Sequence, residues 1–453
     1  MDDSIYRLRL QDLLGLCVLG LMSLGVLMVS SAAMNIATRW VVVGSPPDRS
    51  TPQTYHIEAF GEAKANEWAI QQQIDIVSVE PDEAMWQWND RGTRHAMYVA
   101  GAILIFIVVS RIDVRRFAPL GPSVWGNLSL WGVILAAGLC AATLVPGIGH
   151  EVNGARRWIR LGPIQLQPSE IAKWAVVLHL AWWLTAKPQL SKKFFTGVLP
   201  LMIPVAGLSL LVVIQDFGTA ALIGLVAVLI LVAAGMPKRY FAIIVPPALV
   251  VAGWFVMARE YRLRRLTSFL NPFENPQAEG YHMVQSLLSF ANGGISGRGV
   301  GNGVQKLGYL PEDTTDFIFA VICEELGLFG AVLVVMLFLG ILFVAWRLAR
   351  RTGEPFGRLL AFGIGAMVVM QAVINLAVAT VSVPTKGLSL PLVSAGGTGL
   401  LITSFALGVL CSIARMPRTR LRSVPAPLTE PQPGMLIDDA ILAAWTSPQG
   451  PAR

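Results

Sequence analysis

Ten stretches of this 453-residue chain are apolar enough to cross a bilayer, and each approaches the roughly 20 residues that a spanning helix needs. They fall near 12–33, 95–110, 123–145, 169–186, 197–214, 218–236, 240–258, 317–346, 359–381 and 399–414. Hydrocarbon offers backbone amides no partners, so such runs must satisfy their own hydrogen bonds as helices. Charged residues make up 14% of the chain, against about 25% in soluble proteins. The expectation is an all-α polytopic membrane protein with about ten transmembrane helices and a large exterior loop before the eighth. The first run, Leu13 to about Ala33, exceeds the ~7–15 apolar residues of a secretory signal and reads as an uncleaved helix.

Basic residues set the orientation. With the N-terminus inside, Arg7, Arg9, Arg111, Arg115, Arg116, Lys187, Lys192, Lys193, Lys238, Arg239, Arg347, Arg350, Arg351, Arg358 and Arg415 all fall on the inner side, as the positive-inside rule requires. The chain is therefore read as N-in, C-in. Its organisation is a tail and first helix (1–44), an exterior polar insert (45–95), a transmembrane core (96–415) with an exterior loop at 259–316, and a Pro-rich inner tail (416–453). The insert carries nine acidic and four basic residues, with a helix-like run Glu58–Gln73 and a strand-like run Ile74–Val79. The tail holds one apolar patch, Met435–Trp445. Cys17, Cys140, Cys323 and Cys411 all lie in apolar runs without metal-site or disulfide spacing. Nothing points to nucleic acid.

Against that topology, the exterior cations stand out. Arg156, Arg157 and Arg160 lie in one exterior segment; Arg259, Arg262, Arg264, Arg265, Arg298 and Lys306 lie in another, and Lys386 in a third. Cations on the outer face suit an anionic ligand, phosphate above all, although long exterior loops also carry ordinary solvated charge. Glu170 and Lys173 share one face at the start of the fourth span, either as a functional pair or as a mutually neutralising one. Asp216 is placed to cap the sixth span through Thr219. Asp316, at the entry to the eighth span, reads either as a helix-end acid or as a base; the helix dipole would lower its pKa and desolvation would raise it. Glu324 and Glu325 do not share its helix face. Gln371 and Asn375 have the spacing of interhelical polar contacts. The Gly-rich run Gly293–Gly303 follows no strand, is no dinucleotide fingerprint, and reads as a flexible loop closing over the membrane surface. Ser394–Thr398 offers either phosphate-binding amides at a helix start or a simple bend.

Taken together, Asn153–Ile159 with Gln167–Glu170, Asp216–Thr219, Arg265 with Phe269–Pro272, Gln305–Gly327, Pro384–Gly387 and Leu390–Gly397 resemble the SEDS family (shape, elongation, division, sporulation). Lys386 is similar to the FtsW branch rather than the RodA branch. Phe217, Asn271 and Ala395 depart from the usual Leu, Asp and Tyr, and the insert exceeds the family's short first loop.

The resemblance implies a peptidoglycan glycosyltransferase of the bacterial cytoplasmic membrane. Such an enzyme polymerises lipid II, the undecaprenyl-pyrophosphate-linked disaccharide pentapeptide, together with a class B penicillin-binding transpeptidase and other division proteins. Asp316 matches the essential exterior aspartate. Arg157, Glu170 and Lys173 match other sensitive positions, and Arg265, Lys306 and Lys386 join Arg157 as candidates to hold the departing pyrophosphate. No metal cage is visible, so no cofactor is assigned; help from a divalent cation, Mg or Mn, is left open. The competing classes are a lipid-precursor flippase and a catalytically silent scaffold for the transpeptidase.

Overall fold

The structure is a computed structural model that describes residues 9–33, 38–45, 51–59, 62–81, 91–117, 128–152, 155–162, 164–189, 192–258, 260–278 and 280–416. The inner tail, its patch Met435–Trp445, and Asn153, Gly154 and Arg259 lie outside the described residues.

Each expected span is a helix. The first is α1 (Leu10–Ala33), whose Asp12 accepts from the Arg9 N–H at the helix start. Next comes the insert: β1 (Thr38–Ser45), β2 (Gln53–Ala59), α2 (Glu62–Gln71) and β3 (Asp75–Pro81). Its sheet is antiparallel in the order β2-β1-β3. Val42, Ala65, Ala69 and Ile74 form a small core of their own, with Trp40, Tyr55 and Trp68 packed against it. The expected helix and strand are present as α2 and β3; β1 and β2 add to them, and β1 starts before residue 45.

The core follows as α3 (Arg91–Val109) and α4 (Leu128–Ala142), then an antiparallel meander of β4 (Gly149–Val152), β5 (Ala155–Leu161) and β6 (Ile164–Leu166). The next four helices are α5 (Pro168–Ala186), α6 (Leu199–Gln215), α7 (Phe217–Ala233) and α8 (Lys238–Met257). Pro168 starts α5 where no amide partner is needed. Asp216 caps α7 as expected, accepting from the Thr219 N–H (3.0 Å) and hydroxyl (2.6 Å). Tyr240 is the one buried side chain of α8, whose apolar surface otherwise faces outward, as suits a lipid-facing helix.

The exterior segment 259–316 is not simply a loop. It contains α9 (Glu260–Leu270) and α10 (Tyr281–Gly293), both too short and polar to register as spans. Beyond Met283, the inward face of α10 is built of small residues: Ser286, Ser289 and Gly293 are buried, and the Ser286 hydroxyl donates to the Ala379 carbonyl at 2.7 Å. Small residues let backbones approach closely in a membrane. At Gly293 the approach is such that a Cβ would collide with the Cys323 carbonyl.

Cys323 lies in α11 (Ile318–Arg351), followed by α12 (Pro355–Ala379) and α13 (Thr398–Arg415). Of these α12 is the most enclosed, between α5, α7 and α11. Helix α11 breaks at Gly327 (φ 63°, ψ −154°). The break frees backbone groups about 10 Å below the helix start, by helical rise, where no water replaces lost partners. The Gly-rich run replaces them. Arg298 and Gly299 donate to the carbonyls of Glu324 (3.0 Å) and Glu325 (2.9 Å), and the Leu328 N–H donates to Ile295 (3.1 Å). Gly293–Gly303 is thus a re-entrant segment whose backbone docks into a broken helix, while most of its residues stay exposed. Its glycines are there for close contact: at Gly297 (φ 75°) a Cβ would collide with the Glu325 carbonyl.

Gly297→Ala is therefore expected to cost about 2 kcal/mol or more, combining a left-handed backbone with a steric clash. Gly207→Ala, on α6 with open space around it, serves as control and should leave stability unchanged or slightly raised. Thermal unfolding of the two purified variants in detergent measures the difference.

Candidate active site

Four exterior connections converge where α11 begins. Asp316 stands two residues before the helix and is held by its backbone from both sides. Its carbonyl accepts from Asn375 Nδ2 of α12 at 2.8 Å, and the same amide donates to the Leu388 carbonyl at 2.7 Å. The preceding turn is tied to the 390s: the Thr314 carbonyl accepts from the Ala395 N–H (2.9 Å), and the Thr315 carbonyl accepts from Ser394 Oγ (2.6 Å). Ser394–Thr398 therefore acts as a bend that grips the Asp316 turn, with the Ala395 amide spent on protein. Glu312 (φ 57°), Val381 (φ 54°) and Leu392 (φ 65°) adopt left-handed backbone in these segments. Strain of that kind persists where surrounding structure fixes it, and it concentrates at functional sites.

Gly387 marks the centre. A Cβ placed on it would stand 3.1 Å from Asp316 Oδ2 and 3.7 Å from Arg157 Nη1, so carboxylate and guanidinium flank the same glycine. Arg157 is delivered by β5, and its Nε is buried with no hydrogen-bond partner among the described residues. A buried donor without a protein partner is what a bound acceptor would satisfy. Neighbouring Lys386 lies half-buried with its ammonium 4.9 Å from the Phe217 ring centre. Burial pulls its pKa down, while Asp216 pushes it up.

Burial dominates at Asp316. Its carboxyl is pushed up to about 7, first by desolvation and then by Glu312 and Asp216, with Arg157 and Arg265 opposing. Arg265 thus reaches the same field from α9. His282 of α10 joins it, its ring stacked on Phe317 with centroids 5.9 Å apart; burial and Arg265 lower its pKa and Glu312 raises it. Sequence reasoning passed over Glu312 and His282. Glu312 shares the Tyr309–Phe317 stretch with Asp316, and that proximity was the available signal; for His282 the sequence held none.

A second polar cluster lies beneath. Lys173 is fully buried, with its ammonium 2.8 Å from Glu170 Oε1 and donating to Gln371 Oε1 at 2.6 Å. Gln371 in turn donates to the Ser389 carbonyl at 2.8 Å. Gln371 and Asn375 thus carry the Glu170–Lys173 pair to the loop that holds Lys386 and Gly387. Beside this cluster an apolar groove of about 720 Å³ opens between α3, α4, α5, α12 and α13, lined by Leu104, Leu135, Ile171, Trp174, Leu401 and Phe405 among others.

Lys306 is not part of this site. Its ammonium is fully buried against Glu325, 2.7 Å away, and Ser31. With those partners in place it has no donor left for pyrophosphate. As expected, Glu324 and Glu325 serve packing: Glu324 accepts from the Val304 (3.0 Å) and Gln305 (3.1 Å) amides. Among the described residues no three carboxylate, imidazole or thiolate side chains converge as a metal cluster.

Known proteins resemble this chain in sequence and fold. The FtsW/RodA/SpoVE cell cycle protein model matches residues 76–419. The probable peptidoglycan glycosyltransferase FtsW of Geobacter sulfurreducens is 40% identical over 334 residues, 73% of this chain and 86% of that protein. Its namesake in Coxiella burnetii is 35% identical over 406 residues, 88% and 94% of the two chains. Among solved structures, a chain of a peptidoglycan synthase complex that coordinates polymerization and crosslinking superposes with a TM-score of 0.58 at 27% identity, covering 72% of this chain and 89% of that one. The rod shape determining protein RodA of Thermus thermophilus, at 23% identity, shares the fold with a TM-score of 0.55 over 89% of this chain and 95% of its own.

Lys173→Met should cost about 3–5 kcal/mol, because it strands the buried Glu170 carboxylate. Adding Glu170→Gln should recover most of that loss. A double-mutant cycle on thermal unfolding measures the coupling.

Proposed function

The chain belongs to the FtsW/RodA/SpoVE family of cell cycle proteins, and on that premise we propose that Asp316 is the general base of its reaction. The protein is a membrane-embedded peptidoglycan glycosyltransferase of cell division. The observation that carries the proposal is that the Asp316 carboxylate and the Arg157 guanidinium flank Gly387, and burial pushes that carboxyl up to about 7.

A lipid-linked disaccharide such as lipid II supplies both partners. The acceptor sugar hydroxyl gives its proton to the Asp316 carboxylate as its oxygen attacks the anomeric carbon of the donor. The bond from that carbon to the pyrophosphate oxygen breaks with inversion, and prenyl pyrophosphate leaves with the electron pair. A base with a pKa near 7 is well matched to such a transfer at neutral pH, and general-base help is typically worth about 10²–10⁴-fold.

Charge developing on the pyrophosphate needs preorganised cations. Arg157 is the first candidate, because its Nε is unspent and Nη1 lies across Gly387 from Asp316. Lys386 and Arg265 supply further positive charge to the same pocket. The Glu170–Lys173–Gln371 chain serves to hold the Lys386 loop, and the apolar groove beside α5 suits a prenyl chain. A class B penicillin-binding transpeptidase is the partner we assign, in keeping with the synthase complex matched above.

Asp316→Asn in purified, folded protein should lose about 10²–10⁴-fold in strand synthesis. The measurement is a gel assay of glycan strands from labelled lipid II, with the transpeptidase present. Wild-type rates from the variant would remove Asp316 from the mechanism.

A further inference from the structure

The glycosyltransferase site leaves one set of buried charges unused, where α1, the re-entrant segment and α11 meet. Lys306 and Glu325 are both 0% exposed in their side chains and 2.7 Å apart. The three N–H donors of an ammonium are fully spent: one on Glu325 Oε1, one on the Ser31 carbonyl (3.1 Å) and one on the Ser31 hydroxyl (2.9 Å). That hydroxyl in turn donates a hydrogen bond to the Glu325 carboxylate, 2.8 Å from Oε2. The Gly301 amide completes the carboxylate shell at 3.1 Å. Every polar atom in the cluster has a partner, which is the condition under which a buried ion pair holds its geometry.

The position of this cluster along the chain gives it consequence. Ten residues after Lys306 comes Asp316, and from Ile318 the chain runs down α11 to Glu324 and Glu325 again. Residues 304–325 therefore form a closed circuit: its lower end is pinned by carboxylates to the amides of Gly301, Val304 and Gln305 and to the Lys306 ammonium. Asp316 sits at the top, with the Leu310 N–H bonded back to Gln305 (2.8 Å) and the Phe317 N–H to Glu312 (3.2 Å). The Asp316 turn is also tied to Asn375, Ser394 and Ala395, so the lower end of the circuit is its second attachment.

We propose that Ser31, Lys306 and Glu325 form a buried latch whose task is to position the Asp316 turn against Arg157 and Lys386. None of the three touches the reacting atoms; they are positioning residues, and Ser31 makes the first helix part of the polymerase. The proposal rests on the base role assigned to Asp316. The groups that face Asp316 are Glu312 on its own turn, Arg157 from β5, Asp216 from the α6–α7 junction and Arg265 from α9. None of them belongs to the latch.

The test uses Ser31→Ala, which removes the bridging hydroxyl and leaves the ion pair, with Ser31→Thr as the restoring variant and Lys306→Met and Lys306→Arg as a second pair. In the full-length protein with its transpeptidase, Ser31→Ala and Lys306→Met should lower kcat at least tenfold at unchanged KM, and Ser31→Thr and Lys306→Arg should recover it. Hydrogen–deuterium exchange should quicken at least tenfold across 307–317 in the impaired variants. The acid limb of their pH–rate profile should move toward lower pH as Asp316 gains water. If Lys306→Met raises KM while Ser31→Ala changes neither rate nor exchange, Lys306 binds substrate and the latch is wrong. Unchanged exchange across 307–317 in folded Lys306→Met likewise overturns it. An acid limb missing from the wild type counts against the base role of Asp316 alone, because the exchange readout does not depend on catalysis.

Discussion

Ionised side chains at membrane depth must be neutralised where they stand, and the architecture follows from how this chain does so. Breaking a buried pair by removing one partner typically costs about 3–5 kcal/mol, so each pair dictates which helices lie together. Glu170 and Lys173 commit α5 to α12 through Gln371. Lys306 and Glu325 commit α1 to α11 and to the re-entrant segment. The break at Gly327 obeys the same rule in the backbone: its freed groups are met by a glycine-rich segment able to approach within hydrogen-bonding distance.

Asp316 is the exception that this order makes possible. It has Arg157 and Arg265 within electrostatic reach, yet burial and the neighbouring Glu312 and Asp216 outweigh them and hold its carboxyl near neutrality. A carboxylate fully neutralised by a dedicated cation would be a poor base at neutral pH; one left partly compensated is a competent one. Arg157 is correspondingly incomplete, its Nε lacking a protein partner among the described residues.

Much of this was legible because it is local or periodic. Hydropathy located ten helices, seven of which, among the described residues, are long and apolar enough to cross a membrane. Asp216–Thr219 announced a cap by residue type alone, and Glu170–Lys173 an ion pair by spacing. What escaped depends on contacts distant in sequence. Lys306 reads as one more exterior cation until its partner on α11 and Ser31 on α1, 275 residues away, are brought to it. The Gly-rich run looks flexible in one dimension because glycine is also the residue for close approach. Desolvation of Asp316 could be weighed against the helix dipole only once the surrounding turns were in place.

In the proposed reaction the acceptor proton goes to Asp316, whose carboxyl is pushed up by burial. The most direct measurement is the pH dependence of kcat/KM for glycan-strand synthesis by the purified protein with its transpeptidase. A base with a raised pKa is protonated, and inactive, below that pKa. The rate should therefore fall about tenfold per pH unit on the acid side of a midpoint near 7. A rate that stays flat down to the ordinary carboxylate range near pH 4 would contradict the account.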